Sequence, residues 1–120
     1  MATIMAVDDS ASMRRMVAFT LKGAGHEVIE AEDGVAAFST ARIQKVDLVV
    51  TDVNMPNMDG ITLVRELRTL PTYRFTPILV LTTESSDAKK QEGRAAGATG
   101  WIVKPFSPDQ LIATIRKVLG

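Results

Sequence analysis

The 120-residue chain has no cysteine, which excludes disulfides and thiol chemistry and is compatible with a reducing compartment. Net charge is missing too: 14 Lys and Arg offset 14 Asp and Glu, so no global field draws the chain to nucleic acid or to an anionic membrane. No apolar run approaches the roughly 20 residues needed to cross a bilayer. The amino terminus, Met1 to Asp9, has no basic leader and turns acidic before a signal-peptide core is complete. These absences lead to the expectation of a soluble, cytoplasmic protein without membrane insertion. No Gly-rich phosphate loop with a lysine follows the first apolar run, and Asp8-Asp9-Ser10 is a poor phosphate cradle, which argues against a nucleotide-binding module. Repeats, linkers and low-complexity tracts are also absent.

What is present suits one domain over residues 1–120, because 46% hydrophobic residues suffice for a sizeable core. Thr3 to Val7 reads as a buried strand, after which Ser10 or Ser12 can cap a helix with Met13, Met16, Val17, Thr20 and Leu21 on one face. Gly23 and Gly25 end that helix. Val28 to Ala31 is a second strand, followed by Asp33-Gly34 and a helix with Ala37, Phe38 and Ala41 toward the sheet. Asp47 to Thr51 is a third strand. Past the turn cluster Met55 to Gly60, Asp59 can cap a helix with Leu63, Val64 and Leu67 inside, closed by Pro71. Ile78 to Leu81 is the most uniformly apolar run and the best candidate for a central strand. Glu84 to Gly93 reads as a helix with a largely exposed face. Trp101 to Val103 is the last strand, and Ser107-Pro108 opens a final helix with Leu111, Ile112, Ile115, Val118 and Leu119 inward. Such alternation predicts an α/β (βα)5 doubly wound domain, a five-stranded parallel sheet with helices on both faces.

Right-handed crossovers put the carboxyl end of every strand on one edge, where ligands of open α/β sheets bind. Asp8 and Asp9, Asp52, Thr82 and Lys104 each follow an apolar run and would meet there. Both members of the Asp8-Asp9 pair can reach one pocket only if the backbone leaves the strand at that point; the alternative is that one of them caps the first helix. Asp52 is either a metal ligand alone or a nucleophile toward a phosphoryl donor such as a phosphohistidine, forming an acyl phosphate. The second role is favoured, with the first allowed alongside it. Mg2+ takes hard oxygen ligands and keeps water, so two carboxylates and a backbone carbonyl near Asn54 would suffice, whereas Ca2+ asks for more protein ligands. The Thr82 hydroxyl can bond an arriving phosphoryl oxygen or cap a helix, with Thr83 competing for either role. Pro105 holds Lys104 extended, so its ammonium can enter the acidic cluster, whether as a catalytic group or only to offset repulsion. Trp101 is a core residue or a rotating switch that follows Thr82 and reshapes the surface of the last two helices.

Five segments carry a resemblance: Val7 to Arg15, Glu30 to Gly34, Thr51 to Gly60, Gly97 to Trp101 and Val103 to Phe106. Through them the whole chain resembles the receiver domain of bacterial response regulators, and most of all the stand-alone chemotaxis receivers that act on the flagellar motor. The resemblance implies a flavodoxin-like sheet in the order 2-1-3-4-5. It also implies a phosphoacceptor at Asp52, a magnesium site served by Asp8 and Asp9 with Asp52 and Asn54, and phosphoryl sensing at Thr82 and Lys104. Asn54 and Glu84 would modulate hydrolysis of the acyl phosphate, and Trp101 stands at the aromatic switch position, where relatives usually carry tyrosine or phenylalanine. Pro105 is in many relatives cis, an isomer that sequence alone does not fix. The implied partners are a histidine kinase as phosphodonor and a downstream protein target such as a flagellar motor switch protein, with the receiver a monomer or weak dimer. Stand-alone receivers also serve as phosphate sinks or phosphorelay intermediates, and the receiver of a larger DNA-binding regulator would look similar.

The expected chemistry is autophosphorylation and autodephosphorylation in the service of regulation rather than turnover of a metabolite. An aspartyl-phosphate phosphatase would share the carboxylate nucleophile and Mg2+, but it needs an acid two positions after the nucleophile, where this chain has Asn54, or Ser10 if Asp8 were the nucleophile.

Overall fold

In the computed structural model, which describes residues 1–120, the element order is β1 (Thr3–Val7), α1 (Ala11–Gly23), β2 (Glu27–Ala31), α2 (Gly34–Ile43), β3 (Leu48–Thr51), α3 (Gly60–Arg68), β4 (Ile78–Thr82), α4 (Asp87–Ala96), β5 (Gly100–Val103) and α5 (Pro108–Leu119). A short 3-10 turn, Pro71–Tyr73, precedes β4. The strands form one parallel sheet ordered β2-β1-β3-β4-β5. The chain is therefore a (βα)5 flavodoxin-like doubly wound domain, as the alternation of elements and the resemblance led us to expect. Winding reverses between β1 and β3, and that reversal opens a crevice at the carboxyl edge of the sheet.

Side chains alternate along each strand, and the two faces fill separate cores. Met5, Val7, Val49, Ile78 and Val80 pack against α2, α3 and α4, while Ile4, Ala6, Leu48, Val50, Leu79 and Leu81 pack against α1 and α5. No residue of β3 or β4 is exposed, which explains their unbroken apolar runs. The middle position falls to β3, with β4 one place off centre, because the strand order follows the crossovers and not hydrophobicity alone.

Local chemistry starts the helices. Ser10, Asp33, Asp59, Ser86 and Ser107 each precede a helix and accept a hydrogen bond from the amide three residues on, satisfying a donor that the helix itself cannot. Of the two serines considered for the first helix, Ser10 is the cap. The cap at Ser86 also corrects one expectation: the fourth helix begins at Asp87, not Glu84, because the Glu84 amide is bonded to the Thr82 hydroxyl at 3.2 Å. Asp47 likewise lies just outside β3, its carboxylate accepting from the Thr3 amide at 2.8 Å. Two further residues expected inside point out: Met16 is 54% exposed and Leu119 36%. Val17, Ala18 and Leu21 of α1 and Leu111 and Ile115 of α5 take the buried positions instead.

Polar tethers join elements that are remote in sequence. The Tyr73 hydroxyl is bonded to the Ala41 carbonyl at 2.7 Å and accepts from the Val46 amide at 3.2 Å, fixing the α2–β3 connection, and burial pushes its pKa up. The Arg68 guanidinium donates to the carbonyls of Tyr73, Thr76 and Gly97, tying the end of α3 to the entry of β4 and the end of α4; burial pulls its pKa down. No helix is long and apolar enough to cross a membrane.

Candidate functional site

The polar residues named from the sequence are brought together by single backbone bonds just past the strands. Asp8 donates its amide to Ala31 at 3.2 Å, Asp52 to Val7 at 3.0 Å and Lys104 to Thr82 at 2.8 Å. Each bond carries the sheet ladder one residue beyond its strand, so neighbouring strands deliver their next residues side by side. Carboxylate oxygens of Asp8, Asp9 and Asp52 all lie within 4.8 Å of one another. Asp8 is buried, Asp52 half-buried and Asp9 exposed, so the cluster is closed beneath and open to solvent on the Asp9 side.

Lys104 reaches into this cluster, its Nζ 2.8 Å from Asp8 Oδ2 and 3.2 Å from Asp52 Oδ2. Burial works to lower its pKa, but the hydrogen bond and charge of Asp8 and the charge of Asp52 outweigh that, and the net direction is upward. The Lys104-Pro105 peptide is cis. The remaining Asp52 oxygen, Oδ1, accepts from the Val53 amide at 2.7 Å, and Asp8 Oδ1 from the Ser10 amide at 3.0 Å. Behind Asp52, a Cβ on Gly60 would overlap the Asp52 carbonyl oxygen, so only glycine lets the start of α3 sit this close.

Thr82 and Thr83, alike in sequence, separate in space: Thr82 is fully buried and Thr83 exposed. The Thr82 hydroxyl accepts from the Glu84 amide, and the Glu84 carbonyl accepts from the Trp101 indole Nε1 at 3.0 Å. Trp101 on the edge strand β5 is therefore half-buried and bonded to the β4–α4 loop. Its benzo edge lies over α4, where a Cβ on Gly93 would stand 2.6 Å from Trp101 Cζ3. Asn54 is exposed on the loop after β3.

Two contributors were not legible in the sequence. Asn57, at φ 68°, donates to Asp33 Oδ2 at 2.8 Å, and the Gly34 amide donates to the Met58 carbonyl at 3.2 Å. Together they clamp the loop that carries Asn54 to the start of α2. The amide bond from Ala36 and the bond from Asn57 hold the Asp33 pKa below its ordinary value. Arg14 is the other, bonded to the Asp8 carbonyl at 2.8 Å. Its partners lie on separate elements, so no local motif marks them. The widest surface cleft, about 710 Å³ beside Ala2, His26, Asp47 and Phe75, opens at the amino ends of the strands and is remote from these groups.

An acidic cluster with an inserted lysine thus stands at the winding reversal of a 2-1-3-4-5 sheet. Residues 4–116 match the family described as the response regulator receiver domain. The chain belongs to that family. The receiver is 40% identical to the chemotaxis protein CheY homolog of Campylobacter jejuni, over 98% of this chain and 92% of that protein. It is 39% identical to the chemotaxis protein CheY1 of Helicobacter pylori, over 98% and 96% of the respective lengths. Among solved structures, chemotaxis protein CheY4 of Vibrio cholerae superimposes with a TM-score of 0.94 at 52% identity, covering 98% of both chains. The receiver domain of a sensor histidine kinase from Pseudomonas aeruginosa, solved with a magnesium ion coordinated in its active site cleft, superimposes at 0.92 with 26% identity. The acidic cluster of the present receiver resembles such a site. Its donors are hard carboxylate oxygens, close enough together for one small divalent cation and partly open to water, which fits Mg2+.

Proposed function

We propose that this receiver is a phosphorylation-driven signalling switch that accepts a phosphoryl group on Asp52 from a histidine kinase and thereby changes its affinity for a protein target in flagellar motor control. The observation that carries this reading is the Lys104 ammonium within hydrogen-bonding distance of both Asp8 and Asp52, with Asp9 in the same cluster. In the transfer, an Asp52 carboxylate oxygen forms a bond to phosphorus while the bond from phosphorus to the donor nitrogen breaks, leaving the kinase histidine free. Lys104 stands where it can shift from the carboxylates to the incoming phosphoryl oxygens. Thr82, buried at the end of β4, accepts from the Glu84 amide, and its hydroxyl could turn from that bond to donate to a phosphoryl oxygen.

Asp8, Asp9 and Asp52, with the loop at Asn54, would hold Mg2+, which when bound supplies positive charge to the transferring phosphoryl group. Lys104 acts in both directions, on capture and on hydrolysis, so the receiver would also shed its phosphoryl group unaided. By the family resemblance, Asn54 and Glu84 would flank the site and tune that hydrolysis.

The output follows from the hydrogen-bond chain Thr82 to Glu84 to Trp101. If the Thr82 hydroxyl turns toward a phosphoryl group, the Glu84 amide loses its acceptor, the β4–α4 loop moves, and the indole anchored on the Glu84 carbonyl moves with it. The face of α4, β5 and α5 then changes shape, which a target can read. The similarity to chemotaxis proteins over nearly the whole length supports the motor assignment. The test is phosphoryl incorporation from acetyl phosphate, with Mg2+ and with chelator, in the native chain and in Asp52→Asn. Mg2+-dependent labelling that disappears in the variant is expected; labelling that survives Asp52→Asn would refute the assignment.

A further inference from the structure

Besides Lys104, the one cationic side chain hydrogen-bonded to Asp8 is Arg14, and it contacts the backbone. Its Nη1 donates to the Asp8 carbonyl at 2.8 Å, while its Nε donates to Glu30 Oε1 on β2 at 3.1 Å. Asp8 and Asp9 can share a pocket only because the chain leaves the strand at Asp8, and past that point no neighbouring strand supplies the Asp8 carbonyl with a donor. Arg14 takes that place. With it, every polar atom of Asp8 has a partner: the amide on Ala31, the carbonyl under Arg14, Oδ1 under the Ser10 amide and Oδ2 under Lys104. The amide and Oδ1 partners are backbone groups, and the Arg14 guanidinium is itself anchored by Glu30. The peptide and one carboxylate oxygen are thus held in place before any cation arrives.

We propose that Arg14, oriented by Glu30, is a positioning residue for the divalent-cation site, fixing the Asp8 carboxylate through the Asp8 backbone carbonyl. This rests on the reading of Asp8, Asp9 and Asp52 as the Mg2+ ligands and names a determinant of that site outside the ligand set. The planar guanidinium suits the task because it bonds two acceptors in fixed directions, which an ammonium cannot do. Groups that orient metal ligands commonly matter as much as about 10- to 100-fold in affinity.

Positioning and a simple charge effect would move Mg2+ affinity in opposite directions. A cation beside the carboxylates repels Mg2+, so if Arg14 acted only by its charge, Arg14→Ala would bind Mg2+ more tightly. If it positions Asp8, Arg14→Ala binds Mg2+ more weakly. The experiment is a calorimetric titration of the full chain with MgCl2 alone, for the native protein, Arg14→Ala and Arg14→Lys, with circular dichroism in chelator to establish folding. The Kd for Mg2+ is expected to rise about tenfold in Arg14→Ala. Arg14→Lys keeps the charge and can still reach the carbonyl but gives up the fork on Glu30, and falls between. A Kd unchanged or lowered in Arg14→Ala overturns the proposal; should that variant fail to fold, a native Kd in Arg14→Lys overturns it instead. A native chain with neither Mg2+ binding nor Mg2+-dependent labelling would overturn the cation reading itself, an outcome distinct from a native chain that binds and an Arg14→Ala that binds equally well.

Discussion

Replacing Lys104 by methionine keeps the apolar stem and deletes only the ammonium that stands 2.8 Å from Asp8 and 3.2 Å from Asp52. The side chains of Lys104, Asp8 and Asp52 are 8%, 7% and 13% exposed, so water cannot take over freely. Removing one partner of a buried pair typically costs about 3–5 kcal/mol. The expected loss in chelator at pH 7 is therefore of that order, about 3–5 kcal/mol, read from urea denaturation.

Mg2+ should narrow this gap: a ligand at 100 times its Kd adds about 2.7 kcal/mol, and a cluster that has lost a competing cation binds Mg2+ more tightly. A Lys104→Met variant within about 0.5 kcal/mol of native in chelator at pH 7, or a gap indifferent to Mg2+, would refute this electrostatic account of the site; a surface substitution costs no more than that.

Other consequences are open to direct measurement. A methyl added by Gly93→Ala meets the Trp101 ring at 2.6 Å, so the indole should leave its place beside Glu84; red-shifted emission and greater quenching by acrylamide are expected, and an unchanged spectrum would show that α4 gives way instead. Tyr73→Phe leaves the buried Val46 amide and Ala41 carbonyl without their partner and should cost about 1–3 kcal/mol in urea denaturation, a loss that an isosteric ring cannot recover. The Asp33 pKa is depressed in the folded chain, so its contribution is present above the unfolded value near 3.9 and is lost as pH falls through the folded value. Asp33→Asn should flatten the acid limb of the stability curve below about pH 4, and a limb identical to native would mean that other carboxylates govern acid unfolding.

The ordered pieces of this chain were legible because their signals are local. Apolar runs marked the strands, and Ser10, Asp33, Asp59 and Ser107 announced helices within three residues of themselves. Where a local signal competes with a second one, sequence pattern and structure part: Glu84 has a helical pattern, but the Thr82 hydroxyl claims its amide and Ser86 starts the helix. Met16 and Leu119 looked inward by helical spacing, yet neighbouring residues already fill the sheet face.

By itself the sequence determined the α/β class, the alternation of strand and helix, and the edge of the sheet on which Asp8, Asp9, Asp52, Thr82 and Lys104 emerge, since each of these depends on periodicity, capping and the hand of the crossover. Only the tertiary structure decided which of those groups touch. Lys104 reaches Asp8 and Asp52 because β1 lies beside β3 and β5 beside β4. Trp101 finds room because the residue facing it on α4 is Gly93, Asn57 meets Asp33 because the β3–α3 loop crosses the start of α2, and Arg14 meets Glu30 because α1 packs beside β2. The physical reason is one of range: a capping bond or an apolar stripe is written within a single turn or strand, whereas these contacts exist only once the strand order has brought separate crossovers together.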